Sequence, residues 1–235
     1  MKTDCLSAAE MESLRRLSSS VLASSIEKFG VRLPNTGYAD STIRSIFEDR
    51  PAVLGYAATV RIRTSEPPME GRNYYKATAW WNHVLGIPEP RVVIIQDLDD
   101  PPGRGAFVGE VHAHILLALG CIGLVTNGTV RDNNLIEPTG FQVFAGGPAV
   151  SHAYAHVVDF GGQVSVGGLE VRPGDLVHGD RHGVQTIPLE IAAKVPRVAQ
   201  AIMKRRQQLI GLCHSADFSI ERLRTAIQET EDSSK

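Results

Sequence analysis

A strand, a loop, a helix and a second strand follow one another between residues 91 and 126, and this order constrains the fold more than any other feature. Residues 91–96 form an apolar run typical of a buried strand, and an acidic loop rich in Pro and Gly follows. Residues 109–119 have the periodicity of an amphipathic helix, which Gly120 ends, and residues 122–126 form the next strand. Such a βαβ unit predicts a parallel pair of strands with loops at their carboxyl ends.

Further helices and strands are predicted on both sides of this unit. An N-terminal helix over residues 7–29 is indicated by Ser7 and Glu10, which have capping-box spacing. The other predicted segments are helices at 41–47 and 74–85, strands at 52–63, 142–145, 156–160, 163–166 and 176–178, and a helical tail after residue 188. We therefore expect a mixed three-layer α/β protein with an N-terminal helix at 1–33, a core at 34–190 and a C-terminal helical tail at 191–235.

The composition is that of a soluble globular protein, with 43% hydrophobic and 21% charged residues. A formal net charge of −2 argues against a nucleic-acid binder, which concentrates positive charge on one face. The short basic run Lys204-Arg205-Arg206 is interpreted as a solvated helix face. Three cysteines without CxxC spacing indicate reduced thiols. Because no signal peptide or apolar membrane span is visible, we expect a cytoplasmic protein with neither nucleic-acid nor membrane partners.

Charged residues occur at the ends of two predicted elements. Gly109 and Glu110 open the predicted helix, and Arg131 and Asp132 follow a glycine-punctuated apolar strand after 20 intervening residues. A helix N-terminus stabilises a carboxylate and offers free N–H groups to an anion. Two carboxylates with a guanidinium between them suit a divalent metal and an anionic substrate. This arrangement predicts a metal-assisted reaction on a small carboxylic acid.

Simpler interpretations stay open for each of these groups. Glu110 alone would be an ordinary acid of a first helical turn, and Arg131 with Asp132 would be a surface ion pair. Asp97 and the two acids that follow it, Asp99 and Asp100, suggest either a metal cluster or an exposed turn, and the turn is favoured.

The eight histidines do not form a metal-ligand set by spacing alone. His112 lies in the first turn of the predicted helix and is a candidate lining residue of the site. His152 and His156 are four apart, as zinc ligands on a helix are, but nearby Gly and Pro favour a loop and a strand. His178 and His182 flank a turn and are expected to be exposed. No dinucleotide fingerprint, phosphate-binding loop or nucleophile elbow occurs, so cofactor-dependent hydride or methyl transfer has no support.

Several segments in consistent order resemble the RraA-like family. They are Gly-Glu-Val-His at 109–112, Gly-Cys-Ile-Gly-Leu-Val at 120–125, Asn-Gly-Thr-Val-Arg-Asp at 127–132, Phe-Gln-Val-Phe at 141–144 and Val-Arg-Pro-Gly-Asp-Leu-Val-His-Gly-Asp-Arg-His-Gly-Val at 171–184. The family includes regulators of ribonuclease E and class II 4-hydroxy-4-methyl-2-oxoglutarate/4-carboxy-4-hydroxy-2-oxoadipate aldolases. The resemblance covers roughly residues 34–190. It implies an RraA-like three-layer α/β/β domain with mixed sheets, assembled as a homotrimer or a dimer of trimers with the site between subunits.

The resemblance also implies a role for each site residue. In the aldolase pattern of an acid, 20 residues and Arg-Asp, Asp132 would bind Mg²⁺ or Mn²⁺ directly, and Glu110 would hold the metal through water. Arg131 would bind the substrate carboxylate and the developing enolate oxygen. The backbone N–H groups of Val111 and His112 would hold the pyruvate carboxylate.

Two positions differ from the aldolase pattern. Glu110 stands where Asp is usual, which keeps the charge and lengthens the arm, and Leu135 stands where a further acid is usual, although Glu137 is near. The resemblance implies a metal-dependent carbon–carbon lyase with Arg131 and Glu110 as catalytic residues. Its substrate would be a 2-oxo acid, cleaved by a retro-aldol reaction or decarboxylated as oxaloacetate is. The alternatives are a non-catalytic regulator that binds an RNA-processing enzyme and a metal-dependent enzyme acting on a sugar acid.

Overall fold

A computed structural model describes residues 5–68 and 78–232 of the chain. The α-helices in these residues are α1 (Ala8–Arg15), α2 (Ser19–Glu27), α3 (Ala79–Leu85), α4 (Glu110–Ala118), α5 (Asn133–Ile136), α6 (Leu189–Ala192), α7 (Val195–Cys213) and α8 (Ile220–Asp232). The strands are β1 (Arg44–Ser45), β2 (Val53–Arg63), β3 (Arg91–Asp97), β4 (Ala106–Val108), β5 (Cys121–Thr126), β6 (Thr129–Val130), β7 (Gln142–Ala145), β8 (Gly147–Pro148), β9 (His156–Phe160), β10 (Val164–Val166), β11 (Leu169–Val171), β12 (Leu176–Asp180) and β13 (Gly183–Ile187). Of the helix predicted at residues 74–85, residues 74–77 lie outside the described residues.

A mixed eight-stranded sheet forms the centre of the fold. Its hydrogen-bonded order is β1-β7-β5-β3-β2-β12-β13, and β9 also pairs with β2. Strands β2, β3, β5 and β7 are parallel to one another, whereas β1, β9, β12 and β13 join the sheet antiparallel. The parallel pairing of β3 with β5, which α4 connects, confirms the predicted βαβ unit.

A second sheet of three short parallel strands, in the order β4-β6-β8, places several charged residues side by side. Gly109 and Glu110 follow β4, and Arg131 and Asp132 follow β6. Because the strands are parallel, their carboxyl ends lie at the same edge. The Arg131 N–H donates to the Val108 carbonyl oxygen at 3.1 Å, which fixes the two strand ends beside each other.

Apolar side chains pack on both faces of the main sheet. Val93 and Ile95 of β3 belong to a buried cluster that includes residues of helices α1, α2, α3, α4 and α7. Val92 and Ile94 point to the opposite face, as alternate residues of a strand do, and pack with residues of the β10–β11 hairpin such as Leu169. Burying each such side chain contributes roughly 1.5–3 kcal/mol. Helices, main sheet and hairpin form the expected α/β/β layers.

The N-terminal segment predicted as one helix contains two. The capping box of Ser7 and Glu10 begins α1 as predicted, but the Ser18 side chain caps a new helix, α2. The Oδ2 of Asp180, the last residue of β12, also accepts the Ser19 N–H at 2.8 Å. Two oxygen acceptors at this point satisfy N–H groups that only a helix start leaves open, so the chain begins a new helix here.

The helix predicted at residues 41–47 is wrong. Residues 44 and 45 form β1, which pairs antiparallel with β7 at the edge of the main sheet. The Ile46 N–H continues this contact by donating to the Val143 carbonyl oxygen at 2.9 Å. A segment this short would make few helical hydrogen bonds, so pairing with the sheet determines its conformation.

The C-terminal tail is helical, as predicted, and consists of α6, α7 and α8. The Arg205 guanidinium donates to the Ala226 carbonyl oxygen at 2.7 Å and links α7 to α8. Lys204 and Arg206 are exposed, in agreement with a solvated helix face, and Arg206 also donates to Ser24 Oγ at 3.0 Å. None of the described helices is both long and apolar enough to cross a membrane.

His178 is fully buried on β12, so the expectation that it is exposed is wrong, whereas His182 is exposed as expected. The Nδ1 of His178 lies 3.2 Å from Ser19 Oγ, which also donates to Asp180 Oδ1 at 2.7 Å. Burial lowers the pKa of His178 to about 4, although the nearby Asp180 charge acts in the opposite direction. His178 is therefore a neutral residue that joins β12 to the start of α2.

Acidification from pH 7 to pH 5 is expected to lower the free energy of unfolding by about 2 kcal/mol through His178 alone. Its pKa in the folded chain lies below the ordinary histidine value of 6.5, so the unfolded chain binds the proton more readily. Stability therefore falls as the pH drops from about 6.5 towards 4. Urea unfolding at both pH values measures this effect. The variant His178→Gln should show a correspondingly smaller pH dependence, and an unchanged dependence would contradict the assignment.

Candidate functional site

The carboxyl ends of β4 and β6 and the loop after β8 enclose a cleft of about 170 Å³. A larger depression of about 610 Å³ lies between α7 and α8, but no strand end contributes charged residues to it. The residues lining the cleft are Ala106, Phe107, Gly109, Glu110, Val111, His112, Arg131, Asp132 and His152. The structure thus brings together the five residues that the sequence indicates as a site, and their roles stay predictions.

Asp132 links β6 to α5 in a left-handed backbone conformation, with φ 60° and ψ 33°. Asp and Asn adopt this conformation more readily than other residues that carry a side chain. The Asp132 carbonyl oxygen accepts the Leu135 and Ile136 N–H groups, which begins α5. Its Oδ2 accepts the Glu110 N–H at 3.3 Å and lies 3.4 Å from Arg131 Nε. The carboxylate is therefore held between the start of α4 and the guanidinium.

Gly109 leaves the space that this carboxylate occupies. A Cβ atom at Gly109 would lie 2.5 Å from Asp132 Oδ2 and 3.0 Å from Arg131 Nε. The backbone of Gly109 is extended, with φ −134° and ψ −164°, a conformation that any residue adopts. Glycine is thus required at this position because of space and not because of backbone conformation.

Gly109→Ala is expected to weaken Mn²⁺ binding about fivefold, or about 1 kcal/mol, because the methyl group displaces the Asp132 carboxylate. The extended backbone tolerates Ala, so the melting temperature should change little. Gly211→Ala is a matched control, since a Cβ there meets nothing within 4 Å. Titration calorimetry and thermal unfolding of both variants measure the two effects. A Gly109→Ala protein with wild-type affinity would show that this carboxylate does not hold the metal.

The first turn of α4 offers backbone donors to the cleft. Val111 and His112 are the second and third residues of the helix, where N–H groups have no acceptor within the helix. Such groups, together with the helix dipole, favour an anion at the N-terminus. The geometry suits the predicted contact between these N–H groups and a substrate carboxylate.

The His112 side chain is buried under the cleft and is 7% exposed. Its ring packs against Phe107 with the ring centroids 5.0 Å apart. Burial, with a smaller effect of the Arg131 charge, lowers the pKa of His112 to about 4. The imidazole is therefore neutral at pH 7, and Arg131 supplies the positive charge on this side of the cleft.

Arg131 is about one-third exposed and faces the cleft next to Asp132. Its Nε lies near the Asp132 carboxylate, and in the described part of the chain its two terminal amino groups have no hydrogen-bond partner. A guanidinium with two parallel donors available can bind a carboxylate bidentately. Arg131 is therefore suited to an anionic substrate.

Asp132 and Glu110 are the carboxylates of the cleft. No group of three or more His, Cys, Asp or Glu side chains that could hold a metal occurs among the residues described. Mg²⁺ commonly keeps several waters and takes only one or two carboxylates from the protein. The oxygen donors of these two acids suit a divalent cation bound in this way.

The acids that follow β3 have structural partners instead. Asp97 is 2% exposed and the Asp99 side chain 5% exposed, so the expectation of an exposed turn is wrong for both, whereas Asp100 is exposed as expected. Its carboxylate accepts the Gly103 N–H at 2.8 Å and the Asp99 N–H at 3.1 Å. Asp99 in turn accepts the N–H groups of Thr64 and Ser65 at 2.7 and 2.8 Å. Hydrogen bonds that shape the loop account for both carboxylates.

His152 is a cleft residue that the sequence did not identify. Its spacing from His156 suggested only a zinc pair, which the predicted loop and strand argued against, and the structure has a loop at His152 and β9 beginning at His156. The Ala106 N–H donates to the Ser151 carbonyl oxygen at 2.9 Å, which brings the loop alongside β4. A Cβ at Gly105 would lie 2.6 Å from the His152 carbonyl oxygen, so the loop passes close to the residue before β4.

Comparisons with known proteins agree with this architecture. The family model described as RraA-like, Aldolase/RraA, matches residues 23–185. A protein of Halalkalibacterium halodurans named "Putative 4-hydroxy-4-methyl-2-oxoglutarate aldolase" is 28% identical over 149 residues, which cover 63% of this chain and 65% of that relative's length.

Solved structures show the same fold. A protein from Pseudomonas syringae pv. tomato superposes with a TM-score of 0.73 at 20% identity, covering 96% of this chain and 97% of that one. Streptomyces coelicolor RraAS2, described as an unusual member of the RNase ES inhibitor RraA protein family, has a TM-score of 0.68 at 22% identity, covering 90% of this chain and 100% of its own. The family match, which spans more than half of the sequence, leads to one conclusion: the chain belongs to the RraA-like family.

Proposed function

We propose that this protein is a divalent-metal-dependent carbon–carbon lyase that acts on a 2-oxo acid. The reaction would be retro-aldol cleavage to pyruvate, decarboxylation of oxaloacetate, or both. The observation that carries the proposal is the cleft in which Asp132 lies between Arg131 and the N-terminus of α4. The 28% identity to a relative named as an aldolase supports the same class of reaction.

Two acids of the cleft are suited to hold the metal, and two backbone N–H groups are suited to hold the substrate carboxylate. Asp132, directly, and Glu110, through water, would hold Mg²⁺ or Mn²⁺. When bound, the metal would supply a Lewis acid for the keto group of the substrate. The N–H groups of Val111 and His112 would bind and orient the substrate carboxylate at the positive end of α4.

Arg131 would stabilise the charge that develops during the reaction. Breaking the bond between C3 and C4 of a 2-oxo acid leaves an enolate, whose negative charge is on the former keto oxygen. The Arg131 guanidinium is fixed at the carboxyl end of β6, and its terminal amino groups are open to the cleft. A donor fixed where charge develops typically contributes roughly 3–4 kcal/mol to transition-state stabilisation. Because His112 is neutral, this role belongs to Arg131.

Exposed apolar side chains on the segments that adjoin the cleft residues support a subunit interface. Val111 of α4, Leu135 of α5 and Val150 after β8 are 64%, 45% and 99% exposed. Exposed apolar surface is typical of regions that bind protein. We infer from this, and from the family resemblance, a homotrimer or a dimer of trimers, which sedimentation velocity would measure.

A panel of 2-oxo acids tests the proposal. Metal-free protein is mixed with Mg²⁺ or Mn²⁺ and with oxaloacetate, 4-hydroxy-4-methyl-2-oxoglutarate or 4-carboxy-4-hydroxy-2-oxoadipate, and the pyruvate formed is measured by coupled reduction. Metal without protein is the control, because free cations can decarboxylate oxaloacetate. We expect turnover that requires both protein and metal and stops on chelation. Turnover of sugar acids only, or capture of an RNA-processing enzyme without any turnover, would support the alternatives instead.

A further inference from the structure

Asn127 lies where the chain leaves the main sheet and enters the small sheet that carries the cleft. The pairing of β5 with β3 ends at Thr126, opposite Ile95, and β6 of the small sheet begins at Thr129. Only residues 127 and 128 connect the two strands. In the described part of the chain no strand belongs to both sheets. The contacts of these two residues therefore help to fix one sheet relative to the other.

The Asn127 side chain pairs with the backbone of Asp97, the last residue of β3. Its Oδ1 accepts the Asp97 N–H at 2.7 Å, and its Nδ2 donates to the Asp97 carbonyl oxygen at 2.9 Å. Paired residues of an antiparallel ladder exchange two hydrogen bonds in the same way. Because an amide has one acceptor group and one donor group, these two partners also determine its orientation. The side chain thus continues the pairing of β3 beyond the point where β5 ends.

The next two residues are also held against Asp97. A Cβ at Gly128 would lie 3.3 Å from the Cβ and the Oδ2 of Asp97, which shows how closely the chain passes. The Asp97 Oδ2 accepts the Gly103 N–H at 2.8 Å, and the Gly103 carbonyl oxygen accepts the Thr129 Oγ1–H at 3.3 Å. Asp97 is itself only 2% exposed. The start of β6 is therefore fixed relative to the buried end of β3.

The two walls of the cleft belong to different layers of the fold. Ala113 and Leu116 of α4 pack in the buried cluster on one face of the main sheet, whereas Arg131 follows β6 of the small sheet. Strand β6 is only two residues long, so its direction depends on where its ends are attached. Asn127 attaches the start to β3, and the Arg131 N–H attaches the end to the Val108 carbonyl oxygen at 3.1 Å.

We propose that Asn127 is a positioning residue that acts through Arg131. Its amide, paired with the Asp97 backbone, sets the direction of β6 and so holds the Arg131 guanidinium beside the place where the enolate forms. The inference rests on the proposed lyase function. Asn127 does not line the cleft, so its effect on the reaction is indirect. A misplacement of about 1 Å that originates far from the reacting atoms can cost on the order of 100-fold in rate.

The first test is the rate of Asn127→Ala, which lacks both hydrogen bonds to Asp97. At saturating Mn²⁺ we expect kcat for oxaloacetate to fall about tenfold, because the guanidinium is displaced from the enolate oxygen. KM should stay within about twofold of the wild type, since the N–H groups of α4 that bind the substrate carboxylate do not move. Asn35→Ala is the matched control, because Asn35 is exposed in a turn and does not line the cleft. It should leave both constants unchanged.

A double-mutant cycle with Arg131→Lys shows whether Asn127 acts through Arg131. Residues that act through one interaction are not additive, so in the Arg131→Lys protein Asn127→Ala should lower kcat by no more than about threefold. A further tenfold loss would overturn the inference. The stoichiometry of Mn²⁺ binding should equal that of the wild type, and a rate that falls only in proportion to it would show a loss of folded protein instead. If Asn127→Ala does not fold, Asn127→Asp, which lacks only the donor to the Asp97 carbonyl oxygen, gives the same cycle.

Oxalate binding separates this inference from the lyase proposal. Oxalate is a planar dianion that resembles the pyruvate enolate, and its affinity for the Mn²⁺-loaded protein is measured by calorimetry without turnover. We expect Asn127→Ala to weaken oxalate binding about fivefold in the wild-type background and less than about twofold in Arg131→Lys. If the wild type binds oxalate but turns over no 2-oxo acid, the lyase proposal fails and the oxalate cycle still decides the role of Asn127. A wild type without Mn²⁺-dependent oxalate binding would overturn both.

Discussion

Asp132→Asn is expected to reduce Mn²⁺ affinity by on the order of 100-fold or more, about 2.7 kcal/mol, and to remove metal-dependent turnover. The substitution keeps the shape of the side chain. It replaces an anionic oxygen with an amide that donates hydrogen bonds, and hard divalent cations bind such a group weakly. Asn also tolerates the left-handed backbone at this position, φ 60° and ψ 33°. Titration calorimetry with Mn²⁺ and thermal unfolding measure both properties.

Two further variants separate the charge of Asp132 from its backbone role. Asp132→Ala removes the same carboxylate but places Ala in the left-handed region, at a cost of roughly 1–2 kcal/mol of stability. It should lose metal binding as Asn does and also unfold at a lower temperature. Asp217→Asn removes one negative charge outside the cleft, from an exposed ion pair with Arg222, and should bind Mn²⁺ normally. Equal affinity of wild type and Asp132→Asn would remove Asp132 from the metal site.

The parts of the fold that could be predicted are those with a strong local signal. The βαβ unit follows from an apolar strand, an amphipathic helix and a glycine stop, and α4 lies within the predicted range. The strands at Gln142–Ala145 and His156–Phe160 also agree with the prediction, because turn residues delimit them on both sides. Where hydrophobic periodicity coincides with turn or cap residues at both ends of a segment, local sequence is sufficient to predict the helix or strand.

The errors arise where a distant segment determines the local structure. β1 is a strand because β7 offers an edge to pair with, and α2 starts where it does partly because Asp180 accepts a hydrogen bond from Ser19. His178 is buried by the same contact between α2 and β12. Neither the Ser-rich N-terminal segment nor the turn after His178 carries a local signal for this packing.

The candidate site divides in the same way. The sequence suggested that Glu110 at a helix start and Arg131 at a strand end could meet, and they do so at the carboxyl edge of the parallel strands β4 and β6. His152 could not, since it reaches the cleft through a hydrogen bond between Ser151 and Ala106, two segments far apart in sequence. The spacing of histidines along the sequence can predict a pair of ligands within one helix or strand. It cannot predict that a loop will fold back onto a distant strand.

Arg131→Lys is expected to lower kcat/KM for oxaloacetate on the order of tenfold or more, which corresponds to about 1.4 kcal/mol of transition-state stabilisation. Lysine keeps the charge but lacks the planar pair of donors that can bind a carboxylate or enolate oxygen bidentately. It also lacks an Nε atom, so the contact between Arg131 and Asp132 Oδ2 at 3.4 Å is lost. Arg131→Ala, which removes the charge as well, should lower the rate by about a further tenfold.

The metal affinity of the variant shows whether the loss of rate comes from weaker interactions with the substrate or from weaker metal binding. Arg131 is assigned to the substrate and enolate, so Arg131→Lys should bind Mn²⁺ within about twofold of the wild type, unlike Asp132→Asn. Arg197→Lys makes the same chemical change on an exposed position of α7, outside the cleft, and should leave the rate unchanged. A slow Arg131→Lys enzyme with normal Mn²⁺ affinity would mean that the guanidinium acts on the substrate. A Lys variant with full activity would show that a single positive charge is sufficient, and the bidentate role of Arg131 would be wrong.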